Sequence, residues 1–128
     1  MVTAITNGIK VSVVTGYEGR FFSKKGPLYV FNYKVTITNC SPDTVQLLGR
    51  HWFIYDTGEG PSEVAGAGVV GQQPILGPDE SHTYKSGCHL RASIGAMRGH
   101  YEMLQLSSGT TFNVLIPALQ FFAPPRLN

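Results

Sequence analysis

The fold of this chain is decided by the segment Leu47-Leu48-Gly49-Arg50-His51-Trp52-Phe53-Ile54-Tyr55-Asp56, together with the glycine-rich segment that follows it as far as Gly71. Beyond Gly49 successive side chains of an extended chain point to opposite faces, so Arg50, Trp52 and Ile54 share one face. His51, Phe53 and Tyr55 share the other. The apolar pattern slips by one residue just before Gly49, which predicts a β-bulge there. We expect Trp52, the only tryptophan, to lie in the core because burying its large ring is strongly favourable.

Short segments with this period-two pattern recur along the chain, separated by turns that contain glycine or proline. The clearest is 29–38, in which every second residue is aromatic or β-branched. The predicted strands are 9–17, 29–38, 44–56, 62–64, 82–85, 97–106 and 112–122. No amphipathic helix and no internal repeat is found. The sequence therefore predicts an all-β, immunoglobulin-like (fibronectin type III-like) two-sheet β-sandwich of about seven strands.

The 128 residues are predicted to form one domain, 1–128, with a core over about 7–123 and a short extended tail, 124–128. A hydrophobic fraction of 42% with only 14% charged residues excludes a disordered chain. The net charge of +2 is carried by scattered lysines and arginines, which argues against nucleic-acid binding. No apolar run reaches the length of a membrane helix, and the amino terminus does not resemble a signal peptide. We therefore expect a cytoplasmic protein without a membrane partner.

Three segments that interrupt the strands are predicted as loops: 19–27, 86–89 and 91–96. Phe21 and Phe22 in the first loop are expected to tuck under the edge of the sandwich. The alternative is that they form an exposed contact patch with Arg20. Cys40 lies in a predicted turn and Cys88 in a predicted loop, and we expect both to be free thiols.

The pattern Gly66-x-Gly68-x-x-Gly71 is shared with dinucleotide-binding loops. Such a loop must open a helix, but Pro74 and Pro78 follow too closely for a helix to begin. Two interpretations remain open. The loop either needs glycine for positive φ angles and close approach of two backbones, or its N–H groups form an anion-binding nest. In the second case Arg50, Arg98 and Lys85 are the candidates that supply positive charge.

Polar side chains of two predicted neighbouring strands form the best constellation for chemistry: Arg50, His51, Arg98, His100 and Glu102. An ion pair between Arg50 and Glu102 is the expected use. His51, His100 and Glu102 are weak candidates for a divalent-metal site, since such sites want at least three converging ligands. Cys88 and His89 point to opposite faces of an extended chain, which argues against a nucleophile and its base. No catalytic set is recognised, so we expect a non-enzymatic protein without a cofactor.

Five segments, in order and spacing, resemble the ApaG family: Val45–Trp52, Gly66–Pro74, Leu76–Glu80, Tyr84–Cys88 and Met97–Met103. The resemblance extends over roughly Asn7 to Ala123, with small departures at Gly49 and in 77–79. It implies a fibronectin type III-like sandwich and a small bacterial protein, often encoded beside a diadenosine tetraphosphate hydrolase. It also implies a link to cobalt and magnesium efflux or resistance. Related domains in larger proteins look like protein-binding modules.

The expected function is accordingly that of a binding module for one or more protein partners. Its expected contact surface is the glycine loop, with Arg20, Phe21 and Phe22 nearby if the loops share one end of the sandwich. The alternative is binding of a phosphate-containing small molecule, such as a nucleotide polyphosphate, through residues 66–71. An exposed edge strand also allows a symmetric homodimer.

Overall fold

The computed structural model describes residues 1–125, and these contain nine strands and no helix. The strands are β1 (Val2–Thr6), β2 (Ile9–Ser23), β3 (Gly26–Asn39), β4 (Val45–Asp56), β5 (Gly60–Ala67), β6 (Ile75–Leu76), β7 (Ser81–Leu90), β8 (Ile94–Gln105) and β9 (Thr111–Phe122). All seven predicted strands are present, and β1 and β6 are additional. No helix that could span a membrane occurs within residues 1–125. Of the predicted tail, 124–125 follows β9 without being a strand, and 126–128 lies outside the described residues.

The strands form two antiparallel sheets, as the sequence predicts. The first sheet has the order β1-β2-β3-β7, and the second has the order β5-β4-β8-β9, with β6 paired to β4. The β1–β2 connection is the Asn-Gly turn that favours tight hairpins, with φ angles of 48° at Asn7 and 79° at Gly8. The sheets also meet along one side, where β1 and β2 contact β9. The result is a sandwich in which alternate residues of each strand point into the space between the two sheets.

The space between the sheets is filled by large apolar side chains. Trp52 is only 2% exposed, as predicted, and its ring lies edge-on to Tyr33 with 5.5 Å between ring centroids. Its neighbours in β3 alternate as expected: Phe31, Val35 and Ile37 are buried. Trp52 and these three side chains each contribute roughly 2–3 kcal/mol through removal of apolar surface from water. This burial accounts for the stability of a domain that has no disulfide.

Two β-bulges change the direction of side chains in the second sheet. The pairing of β4 with β8 shifts between Leu47 and Gly49, which confirms the bulge predicted at that glycine. The pairing of β8 with β9 shifts where Met97 faces Leu119 and Gly99 faces Ile116. Pro117 lies in this second irregularity, where the ladder does not require its missing N–H.

The loop predicted for 19–27 is wrong. β2 continues to Ser23 and β3 begins at Gly26, so the two strands pair as far as Ser23 and Gly26. β7 ends at Leu90, opposite Tyr29 of β3. Residues 21–28 therefore pair only with each other and extend past the end of β7, while Gly19 and Arg20 at the base pair with Val30 and Tyr29. We call residues 19–28 the arm. Gly19, at φ 142°, absorbs the register shift by which the arm begins.

The predicted break at 86–89 is also wrong, and the bounds predicted for two other segments differ from those in the structure. β7 passes through 86–89 without a break, which places Cys88 in a central part of the sandwich rather than in a loop. β5 is longer than the predicted 62–64 and already includes Gly66. The loop predicted for 91–96 is shorter, because β8 begins at Ile94. Glycine and serine provided the signal for the break at 86–89, but β7, an edge strand, pairs with β3 throughout this segment, and that pairing overrides the local preference.

Candidate functional site

The glycine-rich loop is a tight hairpin, which we call the glycine hairpin, Gly66–Gln72. The N–H of Val69 donates to the carbonyl of Gln72 at 2.8 Å, and the N–H of Gln72 donates back at 3.0 Å. The two residues between them, Val70 and Gly71, have φ angles of 47° and 74°. Positive φ at both central residues defines a type I′ turn. The loop is therefore a two-residue hairpin turn and does not open a helix.

Each glycine of the motif has a packing or backbone role here. A Cβ on Gly68 would lie 2.3 Å from the carbonyl oxygen of Gln72, and its N–H donates to Leu48 at 2.8 Å. A Cβ on Gly66 would lie 3.1 Å from the Arg50 guanidinium. Gly71 has open space around it but needs its positive φ. The structural interpretation of the glycines thus explains the whole pattern.

Arg50 is held by the glycine hairpin. Its Nη1 donates to the carbonyl oxygens of Ala67 at 3.0 Å and Gly68 at 2.9 Å. The predicted ion pair with Glu102 is wrong, because the bulge at Gly49 sets Glu102 opposite that glycine and Arg50 opposite Tyr101. The Arg50 guanidinium thus links the glycine hairpin to β4 and directs its positive charge toward backbone carbonyls.

The three candidate cations do not meet at the glycine hairpin. Arg98 lies on the outer face of the second sheet, with its guanidinium carbon 4.7 Å from the ring centre of Phe53 and its Nε 3.2 Å from the Tyr55 hydroxyl. Lys85 belongs to the other sheet, where it faces Lys34 of β3. Only Arg50 touches the hairpin.

The two histidines do meet, on the outer face of the second sheet. His51 and His100 are direct cross-strand partners, with ring centroids 5.3 Å apart. His51 also stacks on Phe53 at 4.5 Å, and its Nε2 lies 3.0 Å from Oε2 of Glu63. Within residues 1–125 no group of three or more His, Cys, Asp or Glu side chains is placed to hold a metal ion.

Glu63 is a site residue that the sequence analysis missed. It lies on β5 opposite Phe53, and this register brings it diagonally to His51. The β4–β5 turn around Gly58 and Gly60 sets the register, and pairing back from that turn predicts the contact. The predicted third ligand, Glu102, instead faces the β4 bulge.

The arm carries Phe22, the most exposed aromatic side chain within residues 1–125, and the neighbouring Phe21. Phe22 is 75% exposed and Phe21 55%, so the expectation that they tuck under the sandwich edge is wrong. The Arg20 guanidinium lies 5.2 Å from the ring centre of Phe22. Arg91 fastens the arm, since its Nη1 donates to the Ser23 hydroxyl at 2.9 Å. The structure shows the exposure that the alternative, a contact patch, requires.

A groove of about 720 Å³ lies beside the arm, and we call it the aromatic groove. It is lined by Tyr17, Arg20, Phe22, Tyr29, Ser93, Phe122, Ala123, Pro124 and Pro125. One wall belongs to the β2–β3 hairpin and the other to the end of β9 and the residues after it. Phe22 lines the groove, and its neighbour Phe21 does not.

The arm and the glycine hairpin do not share an end of the sandwich. The glycine hairpin is attached near the start of β4, where the N–H of Gly68 donates to the carbonyl of Leu48. The arm is fastened through Arg91, whose backbone N–H donates to Asp56, at the end of β4, at 2.7 Å. At about 3.3 Å per residue these anchors are roughly 25 Å apart. The condition set for a shared contact surface, that the two loops lie at one end of the sandwich, is therefore not met.

Buried titratable groups of the core have raised pKa values because burial disfavours their charged forms. Burial raises the pKa of Cys88 to about 11, so this thiol is protonated at neutral pH. Burial also raises the pKa of Tyr84 and of Tyr101, whose hydroxyls are hydrogen-bonded to each other. Cys40 is exposed, and the two cysteines are free thiols, as predicted.

The fold and the site together define an all-β sandwich module that carries its surface features on two hairpins. The chain belongs to the ApaG domain family (DUF525), which matches residues 20–105. A Protein ApaG from Brucella canis is 43% identical over 126 residues, 98% of this chain and 96% of that protein. One from Brucella anthropi is 44% identical with the same coverage.

Solved structures agree with this assignment. An X-ray structure of a structural-genomics target superimposes with a TM-score of 0.88 at 38% identity, covering 97% of this chain and 93% of that chain. A Bordetella pertussis crystal structure, described as an ApaA protein, gives a TM-score of 0.83 at 41% identity, covering 92% and 95%. The resemblance noted from five sequence segments is therefore confirmed.

Proposed function

We propose that this chain is a non-enzymatic binding module whose partner is a protein and whose contact surface is the arm. The observation that carries the proposal is the exposure of Phe21 and Phe22 on a hairpin that extends past the end of β7. Exposed aromatic side chains are unfavourable in water unless a partner covers them. Aromatic residues and arginine are also the residue types enriched at the centres of protein interfaces.

The arm is built as a preformed contact element. Its backbone is paired from Gly19 to Ser23 with Val30 to Gly26, so binding orders few additional residues. Arg20 adds a cation above the Phe22 ring, and the Arg91–Ser23 hydrogen bond holds the strand end in place. Such rigidity lowers the entropic cost of association and supports a docking role for the arm.

The family-level link to cobalt and magnesium efflux or resistance is, on this proposal, indirect. The module acts by contacting a partner protein, and the partner is the component that responds to the metal. The paired His51 and Glu63 side chains are one carboxylate and one imidazole, fewer ligands than a site selective for either ion needs.

Photo-crosslinking tests the proposal directly. A photoreactive phenylalanine analogue placed at Phe22 is expected to give a discrete covalent adduct in cells, to be identified by mass spectrometry and reproduced with the purified partner. The matched control is the same analogue at Leu115, which is 57% exposed on β9, outside the arm. No adduct at position 22, or the same adducts at both positions, contradicts the proposal.

A second candidate function is binding of phosphate or a nucleotide polyphosphate at the glycine hairpin. Val70 favours it: a β-branched residue at φ 47° is strained, and 64% of its surface is exposed. Such strain is retained where it serves a purpose. Within residues 1–125 the amides of Val70 and Gly71 make no backbone hydrogen bond and so are free to bind an anion.

Calorimetry with pyrophosphate and ATP tests this candidate on two variants of equal size. Val70→Asn and Val70→Asp both tolerate positive φ, but only the aspartate adds negative charge. Anion binding predicts heat of binding for the wild type and Val70→Asn, and its loss in Val70→Asp. No heat for the wild type at millimolar concentrations removes the candidate.

A further inference from the structure

The aromatic groove has a specific chemistry that indicates what binds there. Four rings line it, those of Tyr17, Phe22, Tyr29 and Phe122. Two of these are half or more exposed: Phe22 on the arm and Phe122 at the end of β9, which is 60% exposed. The groove is thus an apolar, ring-lined surface between two elements of fixed position.

Every polar side chain that lines the groove can donate a hydrogen bond. The Arg20 guanidinium only donates, and the hydroxyls of Tyr17, Tyr29 and Ser93 can donate. No carboxylate occurs in the lining formed by residues 1–125. A complementary ligand therefore supplies acceptors and few donors, and it carries negative rather than positive charge.

Proline-rich backbone meets this requirement. Each proline has a carbonyl acceptor and no N–H, so its ring can be buried against an aromatic ring without leaving a donor unsatisfied. Such segments already adopt an extended left-handed helix in water, and they dock into aromatic-lined grooves at small entropic cost. Pro124 and Pro125 of the chain itself, both exposed, form part of the lining.

We propose that the aromatic groove binds a proline-rich segment of the partner protein in this extended conformation, with acidic residues flanking the prolines. The inference rests on the proposed function and specifies the chemistry of the partner. The proline rings lie between Phe22 and Phe122, and the peptide carbonyls accept from the donors of the groove. The flanking carboxylates face Arg20, Lys24 and Lys25 of the arm and Arg91, which is hydrogen-bonded to the arm.

Fluorescence polarisation of a labelled hexaproline peptide with glutamates at both ends tests the proposal on the full chain. We expect saturable binding to the wild type. A peptide with alanines in place of the prolines is expected not to bind, and one with lysine flanks is expected to bind several-fold more weakly. The decisive variants are Phe22→Ala and Phe21→Ala. Each removes one phenyl ring, and the two rings belong to adjacent residues of the arm.

Phe22→Ala is expected to weaken binding about tenfold, the effect of losing one buried aromatic contact of roughly 1.4 kcal/mol. Phe21→Ala is expected to change affinity less than about twofold, because that ring does not line the groove. Arg20→Gln is expected to reduce the preference for glutamate over lysine flanks, because it removes one of the four cations that face them. No saturation at millimolar protein, equal losses in the two alanine variants, or equal binding of the alanine peptide overturns the proposal.

Sedimentation separates a second copy of this chain from a peptide ligand. If the wild type self-associates and Phe22→Ala abolishes that association, the occupant of the groove is another copy and the proposal is wrong. The crosslinking experiment distinguishes failure of the proline-rich ligand from failure of the proposed function. Failure of the peptide to bind while the position-22 adduct persists overturns the proline-rich ligand only, and loss of the adduct overturns the proposed function.

Discussion

The arm and the glycine hairpin are the two hairpins to which the sequence draws attention, and they are built in opposite ways. In the glycine hairpin, Val69 and Gln72 bond to each other, the Gly68 amide donates to Leu48, and the carbonyls of Ala67 and Gly68 accept from Arg50. The arm leaves its largest side chains, Phe21 and Phe22, in water. A recognised ligand-binding motif thus has a complete structural explanation. The exposed aromatic pair of the arm does not.

The physical cause of the difference is the space around each backbone. In the glycine hairpin the chain returns so closely that one added methyl group on Gly68 meets a carbonyl oxygen. In the arm the only neighbouring strand is the other half of the arm, so a side chain at its tip meets solvent. Close packing shows what holds the glycine hairpin together, and the uncovered aromatic surface of the arm is the basis for proposing a partner there.

The largest expected effect is that of adding a methyl group in the glycine hairpin. Gly68→Ala is predicted to lower the free energy of unfolding by about 3–4 kcal/mol, since positive φ and a clash with the Gln72 carbonyl act together. Gly71→Ala, with a similar φ and nothing within 4 Å, isolates the backbone strain at about 1 kcal/mol. Urea unfolding of both variants measures the difference. Equal losses contradict the close approach.

Arg50 separates a structural hairpin from a ligand-binding one. Arg50→Gln is predicted to lower the free energy of unfolding by about 2 kcal/mol, because two charge-assisted hydrogen bonds to Ala67 and Gly68 are lost. Arg98→Gln is the matched control on the outer face, with an expected change below about 1 kcal/mol. Unchanged stability of Arg50→Gln in urea argues that the guanidinium serves a ligand instead.

The turn residues give a smaller effect, of opposite sign. The β1–β2 turn has Asn7 at the first positive-φ position, whereas the glycine hairpin has Val70. Val70→Asn is predicted to raise the free energy of unfolding by about 1 kcal/mol, and Asn7→Val is predicted to lower it by a similar amount. Thermal unfolding of both variants tests whether the two changes in stability are similar in size and opposite in sign. A Val70→Asn variant that is no more stable shows that Val70 is not strained.

The sequence predicted the sandwich well, because period-two burial is a local property of each strand. Trp52, Phe31 and the bulge at Gly49 are where alternation and a single phase slip place them. Strand ends were predicted less well, since they depend on neighbours. Glycine and serine around Cys88 read as a break, yet pairing with β3 carries β7 through them.

The candidate site was harder to predict, because it depends on register between strands. The sequence placed His51 and His100 on plausible neighbours, and the structure pairs them. It did not reveal that the bulge turns Glu102 away, or that Glu63 lies beside His51. Nor does any local pattern show that the arm and the glycine hairpin lie toward opposite ends of β4. Such long-range placement is set by topology rather than by residue spacing.

The smallest expected effect on stability bears most directly on function. Phe21→Ala and Phe22→Ala are each predicted to change the free energy of unfolding by less than about 0.5 kcal/mol, since both rings are largely exposed. Urea unfolding measures this, with Phe31→Ala in the core as the reference, for which the expected loss is about 3–5 kcal/mol. A loss above 1 kcal/mol for Phe22 indicates that the ring packs on the sandwich in solution. A ring that stabilises nothing in the free chain is one that a partner is free to cover.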